Sequence, residues 1–360
     1  MPIRTRHVLL IAGAAWVVRR RPRRKLRAPR PPLWPLPGGG AAAPAVAPGA
    51  LRLTVDERTM EADGVVRLRL TGEELPAWEP GAHLDLVLSS GTVRQYSLCG
   101  DPADTAGYAI AIRRIDEGRG GSREAHDLLR EGERVEVHGP RNRFPLVDAP
   151  AYVFVAGGIG ITPILPMLRA AEAAGTPWRL LYGGRSRRTM PFLDEIEKLG
   201  GPAGRVTVAA EDEQGLPDLS ALLVGLPEGA AVYCCGPEGL MDAVAALCVR
   251  TPPDGGLHLE RFSPATGSPA GEERAFEVEL RRTGRTVTVP AGTSALAALR
   301  AEALPDIAYS CQQGFCGTCQ QSVLSGEVDH RDELLTDTER IDSMLICVSR
   351  ARGERLTLDL

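Results

Sequence analysis

Cys311-Gln312-Gln313-Gly314-Phe315-Cys316-Gly317-Thr318-Cys319 sets three cysteines at the spacing C-x4-C-x2-C, and a fourth follows at Cys347. This is the ligand spacing of a plant-type [2Fe–2S] cluster, whose two bridged irons need four thiolates. Gly314 and Gly317 let the loop fold closely around inorganic sulfide and aim backbone amides at it. Structural zinc is the competing reading, but it usually asks for two CxxC-like pairs or added histidines. Here the second pair is missing and no histidine flanks Cys347. The ligand pattern favours the cluster. A one-electron centre is half a device, and something must feed it.

At 360 residues the chain has room for two to three domains with sizeable cores. Its 43% hydrophobic and 24% charged content is that of an ordinary globular protein. Four of the eight cysteines already have metal-ligand spacing, and no convincing secretory signal is present, so a reducing, cytoplasmic setting is expected. Cys99, Cys234 and Cys248 read as small buried hydrophobes. His83, His126, His138 and His258 are isolated, and no Ser/His/Asp grouping supports hydrolysis. Nothing points to nucleic acid, and a monomer is expected.

Charge is unevenly spread. Residues 1–50 hold nine arginines, one lysine and no acid, so +10 there leaves −14 on residues 51–360 within a net charge of −4. The apolar run 8–18 is too short for a spanning helix, which needs about 20 residues. Dense arginine after it replaces a small-residue cleavage site and argues against export. A disordered basic arm is the favoured reading, and an interfacial helix on anionic lipid is the alternative. Pro, Gly and Ala then make residues 29–49 a linker.

Short alternating segments at 51–55, 65–70, 84–88, 108–112 and 134–137, broken by Gly and Pro, predict a small antiparallel barrel or sandwich. Within it, Arg94-Gln95-Tyr96-Ser97 presents a cation, an aromatic ring and hydroxyls together. Gly118-Arg119-Gly120-Gly121-Ser122 opens a helical run and offers amides and the positive helix end to a phosphate. Taken singly, a strand arginine is usually a solvated face, and such a turn usually only caps a helix.

From Ala151 the pattern becomes α/β. A buried strand at 152–156 turns through Gly157-Gly158-Ile159-Gly160-Ile161-Thr162-Pro163 into a helix over 164–174. Further strands at 179–182, 205–209 and 231–234 lead into Gly183-Gly184-Arg185-Ser186, Glu211-Asp212-Glu213 and Cys235-Gly236-Pro237, and a helix is predicted over 190–199. Glycine-rich turns at strand C-terminal ends place a nucleotide crevice on one edge, though the G-x-G-x-x-G fingerprint is absent.

These motifs, in this order and followed by a ferredoxin-like cysteine loop, resemble the phthalate dioxygenase reductase family, which includes the vanillate O-demethylase reductases. The resemblance spans about residues 51–360. It implies an antiparallel β-barrel flavin domain (51–148), an α/β NAD(P)-binding domain (149–262) and an α+β, β-grasp ferredoxin domain (273–360); composition marks 263–272 as a flexible linker and 1–50 as a basic extension. It implies that Arg94, Tyr96 and Ser97 line the flavin, with Arg94 and Arg114 near its phosphate and Gly121 and Ser122 in the phosphate turn. Gly158, Gly160, Thr162 and Pro163 match the nicotinamide-nucleotide loop, and Arg185 and Ser186 the segment near the adenosine half. Cys235, Gly236 and Pro237 match the stretch beside nicotinamide and flavin, with Cys235 and Ser97 at the chemistry. Glu260-Arg261-Phe262 resembles the family's exit from this domain, near the flavin.

The resemblance favours FMN over FAD and NADH over NADPH. Two arginines and a Gly-Gly-Ser turn suit a terminal phosphate without excluding FAD. A pocket of Arg185, Arg187 and Arg188 would suit a 2′-phosphate. The expected activity is NAD(P)H-dependent electron transfer through flavin and one cluster, held by Cys311, Cys316, Cys319 and Cys347, to a Rieske-type oxygenase or O-demethylase. A cytochrome P450 acceptor and a non-turnover redox-sensing module are the alternatives. Residues 327–342 carry seven acids against two arginines, which reads equally as a solvated face or as a rim steering a basic partner.

Overall fold

The computed structural model describes residues 50–116, 120–219, 221–262, 273–332 and 334–360. The basic arm and the 263–272 linker lie outside these residues, as do Gly118 and Arg119 of the glycine-rich turn.

Alternating apolar residues build the first domain from β1 (Ala50–Ala62), β2 (Val65–Thr71), β3 (Ala82–Val87), β4 (Val93–Ser97), β5 (Gly107–Arg113) and β6 (Arg134–Asn142). They form one antiparallel sheet in the order β4-β3-β6-β1-β2-β5. An isolated bridge from Leu98 to Ile110 joins its two edges, closing a barrel. Leu53, Leu68, Leu84, Leu86, Ile110 and Val137 fill the interior, and Ala125 of α1 (Gly121–Leu128) packs against it. β1 reaches Ala62 rather than residue 55. Its first half pairs with β6 and its second with β2 across register shifts. The second half exposes both faces, so no alternation marks it in the sequence.

The second domain holds β7 (Tyr152–Gly157), α2 (Ile161–Ala173), β8 (Trp178–Gly184), α3 (Leu193–Gly200), β9 (Val206–Ala210), α4 (Glu211–Gln214), β10 (Ala231–Cys235), α5 (Glu238–Arg250) and β11 (Leu257–Glu260). The strands run parallel in the order β11-β10-β7-β8-β9. Phe154, Tyr182 and Tyr233 pack on one face with α2 and α3, and Val153, Val232 and Met241 on the other with α5. Burial on both faces explains why these strands read as unbroken apolar runs. α2 starts at Ile161 rather than 164, since Pro163 sits in a first turn that needs no amide from it. α3 starts at Leu193 rather than 190, because Phe192 takes a left-handed φ of 61° straight after Pro191.

Several polar contacts tie barrel to nucleotide domain. Arg169 on α2 donates to the carbonyls of Cys99 (2.8 Å) and Gly100 (2.7 Å). The Tyr233 hydroxyl donates to Pro145 O (2.9 Å) and accepts from the Val147 amide (2.7 Å), clamping the connecting segment.

The third domain comprises β12 (Phe276–Leu280), β13 (Arg285–Val289), α6 (Ala295–Glu302), β14 (Gln320–Ser325), β15 (Val328–Asp329), β16 (Ser343–Leu345), β17 (Arg350–Ala351) and β18 (Arg355–Leu358). The main sheet runs β13-β12-β18-β14-β16, with β12 and β18 parallel, and α6 packs across it in a β-grasp arrangement. Ser294 caps α6, accepting from the Ala297 amide at 3.1 Å. Among the described residues no helix is long and apolar enough to cross a membrane.

Candidate functional site

Strand β4 delivers Arg94, Tyr96 and Ser97 to the barrel's edge. The Arg94 guanidinium lies so close to Gly121 that a Cβ there would stand 2.2 Å from Nε. Gly121 and Ser122 open α1, whose N-cap Gly120 makes no side-chain cap among the described residues, and helix-start amides suit an anion. The Tyr96 hydroxyl is buried without a hydrogen-bond partner, and burial raises its pKa above the ordinary phenol value. A cation, uncapped helix amides and an orphaned hydroxyl fit a flavin carrying a phosphate. Arg114 is placed differently from Arg94. It pairs with Asp127 of α1 at 2.5 Å and with Asp116 at 2.7 Å. Its neighbour Arg113 faces the glycine loop instead, with Nη1 3.8 Å from a Cβ built at Gly158.

In the nucleotide domain the turns after β7 and β10 nest together. A Cβ at Gly160 would meet the Cys235 carbonyl oxygen at 2.3 Å, and one at Gly157 would meet Pro237 Cδ at 2.4 Å. Gly157, Gly160, Gly236 and Pro237 thus pack closely together, with Gly158 between the two glycines in the same turn. Thr162 is buried, its hydroxyl donating to Ile159 O at 2.9 Å, and Pro163 follows it into α2. Glycine backbone beside a helix N-terminus fits a dinucleotide pyrophosphate. Arg185 and Ser186 follow β8. Arg187 is ion-paired with Glu197 and Arg188 with Asp63 (2.5 Å), so two of the three arginines expected around a 2′-phosphate already have acidic partners.

The flavin strand and the nucleotide sheet meet at a third set of residues. Ser97 Oγ donates to Glu260 Oε2 at 3.1 Å, joining the end of β4 to the end of β11. Glu260 is the register partner of Cys235 across the parallel β10–β11 pair. Desolvation pushes the Glu260 carboxyl up to about 8, against the lowering effect of Ser97. Burial first, and Glu260 beside it second, hold the Cys235 thiol well above its ordinary pKa, so it stays neutral. Ser97 and Cys235 are brought together here. Glu260 was not assigned to the chemistry in the sequence, because β11 is too short to show periodicity. Its signal is positional: a carboxylate at the C-terminal end of an edge strand, where such sheets bind ligands.

In the third domain all four cysteines of the loop are buried. Their thiols converge: Cys316 neighbours Cys311, and Cys347 neighbours both Cys311 and Cys319. Among the described residues no three metal-binding side chains close on one ion. Four converging thiols fit the ligand set of two bridged irons. The Gln313 amide donates to Cys311 Sγ at 3.3 Å and the Cys311 amide to Cys316 Sγ at 3.5 Å, bonds that would stabilise thiolates.

Comparison with known proteins agrees with this layout. Residues 278–352 match the 2Fe-2S iron-sulfur cluster binding domain, and residues 154–246 the oxidoreductase NAD-binding domain. The phenoxybenzoate dioxygenase subunit beta of Ectopseudomonas oleovorans is 44% identical over 89% of this chain and 100% of its own length. An intact type IV self-sufficient cytochrome P450 monooxygenase superposes with a TM-score of 0.77 at 42% identity, covering 86% of this chain and 41% of that longer one. A phthalate dioxygenase reductase, described as a modular structure for electron transfer from pyridine nucleotides to [2Fe-2S], superposes with a TM-score of 0.64 at 38% identity, covering 87% of this chain and 98% of that one. The chain, with its barrel, nucleotide and ferredoxin domains in that order, belongs to the phthalate dioxygenase reductase family.

Proposed function

We propose that hydride from NADH is received where Ser97, Cys235 and Glu260 meet, and that electrons leave singly through the loop of Cys311, Cys316, Cys319 and Cys347 to a terminal oxygenase. The observation that carries this reading is the Ser97–Glu260 hydrogen bond of 3.1 Å, which fixes the flavin strand against the C-terminal edge of the nucleotide sheet. The chain is an NAD-dependent oxidoreductase whose cofactors are FMN, NADH and one [2Fe–2S] cluster. Bound flavin supplies the conversion between a two-electron donor and a one-electron acceptor.

The chain's own residues bind and orient. Arg94 and the amides of Gly121 and Ser122 hold the flavin phosphate, and the Tyr96 hydroxyl supplies a donor. Gly158, Gly160, Thr162 and Pro163 seat the nucleotide's pyrophosphate, and Arg185 and Ser186 border its adenosine half. Gly236 and Pro237 border the nicotinamide. Cys235, small, neutral and buried, backs Gly160 without adding a charge there. Glu260 keeps its proton at neutral pH and holds the Ser97 hydroxyl in one orientation.

A Rieske-type oxygenase or O-demethylase is the proposed acceptor, in keeping with the dioxygenase subunit among the relatives. A P450 acceptor is a second reading, favoured by the match to part of a self-sufficient P450 monooxygenase. NADH oxidation coupled to cytochrome c as surrogate acceptor tests the reductase reading. Reconstituted protein that holds flavin and iron yet fails to turn over would refute it.

A further inference from the structure

Strands β3 and β6, neighbours inside the barrel sheet, carry a buried charged pair that the proposed site leaves without a role. Asp85 on β3 is 1% exposed. Its Oδ2 accepts from Arg141 Nη2 on β6 and from the Thr318 hydroxyl at 3.4 Å, 233 residues away inside the cysteine loop. Thr318 Oγ1 is in turn 3.4 Å from Cys316 Sγ. Two residues along, Arg143 Nη2 donates to Gln320 Oε1 at 2.7 Å, and its Nε stands 3.3 Å from a Cβ built at Gly317. Loop and barrel are therefore fitted to one another by charge-bearing groups rather than by apolar surface alone.

We propose that the Asp85–Arg141 pair is a seat for the cysteine loop, through which the barrel sets the reduction potential of the cluster held in the neighbouring domain. This rests on the reading that Cys311, Cys316, Cys319 and Cys347 hold a [2Fe–2S] group. A cluster gains one negative charge on reduction, so a fixed cation beside its ligands favours the reduced form and a fixed anion opposes it. Arg141 lies within electrostatic reach of Cys316. Its Nε and Asp85 Oδ1 are buried without hydrogen-bond partners, which leaves both members sensitive to charge in the loop above. His83, 1% exposed, adds no charge, since burial and then Arg141 and Arg143 lower its pKa to about 3. Arg143 is shared with Glu339 of the ferredoxin domain at 3.6 Å. Linkage makes the effect reciprocal: if seating favours reduction, reduction tightens seating. The seat then holds the loop on the barrel most firmly once it has been loaded.

The test is the cluster's midpoint potential in iron-replete full-length protein, followed by the spectroscopic signal of the reduced cluster. Arg141→Gln leaves the carboxylate unbalanced and lowers the potential, decreasing the reduced-to-oxidised ratio by about tenfold, or about 59 mV for one electron. Asp85→Asn leaves the guanidinium unbalanced and shifts it the opposite way. Arg141→Lys, which keeps the charge, stays within about twofold of the native ratio. Opposite signs are the discriminating result, because a loosened interface would move both neutral variants in one direction. Shifts of the same sign, or none, overturn the seat. Should either neutral variant lose its iron, Arg143→Gln carries the test: a fall in potential supports the seat and an unchanged potential overturns it. Absence of two irons from the native protein would overturn the ligand assignment and the seat together, whereas unshifted potentials in iron-replete variants overturn the seat alone.

Discussion

Ser97 Oγ and Glu260 Oε2 lie 163 residues apart in sequence and 3.1 Å apart in space, one at the end of a barrel strand and the other at the end of a parallel strand. The Glu260 carboxyl has its pKa raised from 4.5 to about 8, so the folded chain keeps a proton that the unfolded chain has released. Its contribution to stability is complete below the unfolded value and is lost as pH climbs through the folded one. Glu260→Gln, a neutral mimic, should therefore gain thermal stability relative to the native protein between pH 5 and pH 8 and level off above. The native rate of flavin reduction by NADH should fall above about pH 8, and the variant's profile should be flat there. Parallel melting curves or parallel pH–rate profiles would contradict the role given to Glu260.

Gly121→Ala places a methyl group where the Arg94 guanidinium now lies. Losing one charge-assisted contact to phosphate costs on the order of ten- to a hundredfold in affinity. Fluorescence titration of flavin into the apoprotein measures this. The barrel core is untouched, so melting of the apoprotein should change little.

Cys316→Ser separates the two ends of the electron path. Cytochrome c reduction should be abolished, while ferricyanide, able to take electrons at the flavin, should be reduced at close to the native rate. Equal loss of both activities would mean that the cluster is not the outlet.

The pairing of Arg187 with Glu197 and of Arg188 with Asp63 makes a prediction about the nucleotide. The native protein should prefer NADH, and the double variant Asp63→Asn/Glu197→Gln should lower KM for NADPH several-fold by freeing two cations. Exposed ion pairs contribute little stability, about 0–1 kcal/mol each, so folding should be nearly unaffected. An unchanged NADPH KM would show that neither arginine reaches the 2′ position.

The fold was legible where periodicity was clean. Doubly buried strands such as Tyr152–Gly157 appear as apolar runs, and the cysteine spacing needs only local chain geometry. Short or doubly exposed strands left no such mark, which is why Leu257–Glu260, Gln320–Ser325 and the outer half of Ala50–Ala62 escaped. The site was legible as separate motifs but not as contacts between domains. Neither Glu260 beside Ser97 nor Arg141 beneath Thr318 follows from spacing, because each joins residues from different domains. The acidic stretch 327–342 also changes character in three dimensions. Asp332 is 5% exposed and accepts from the Leu335 amide at 2.9 Å, Asp329 pairs with Arg331 at 2.7 Å, and Glu327 with Arg352 at 3.0 Å. Part of that charge is therefore held in turns and ion pairs within the ferredoxin domain.

The barrel closes through the bridge from Leu98 to Ile110, immediately after the strand that carries Arg94, Tyr96 and Ser97. A cylinder joined at so narrow a place has a hoop stiffness fixed by that joint. Any outward breathing of the wall would open first beside the residues that grip the flavin. If the flavin binds along this strand as proposed, it would splint that joint, and amide protons near Leu98 and Ile110 should exchange more slowly with FMN bound than without it.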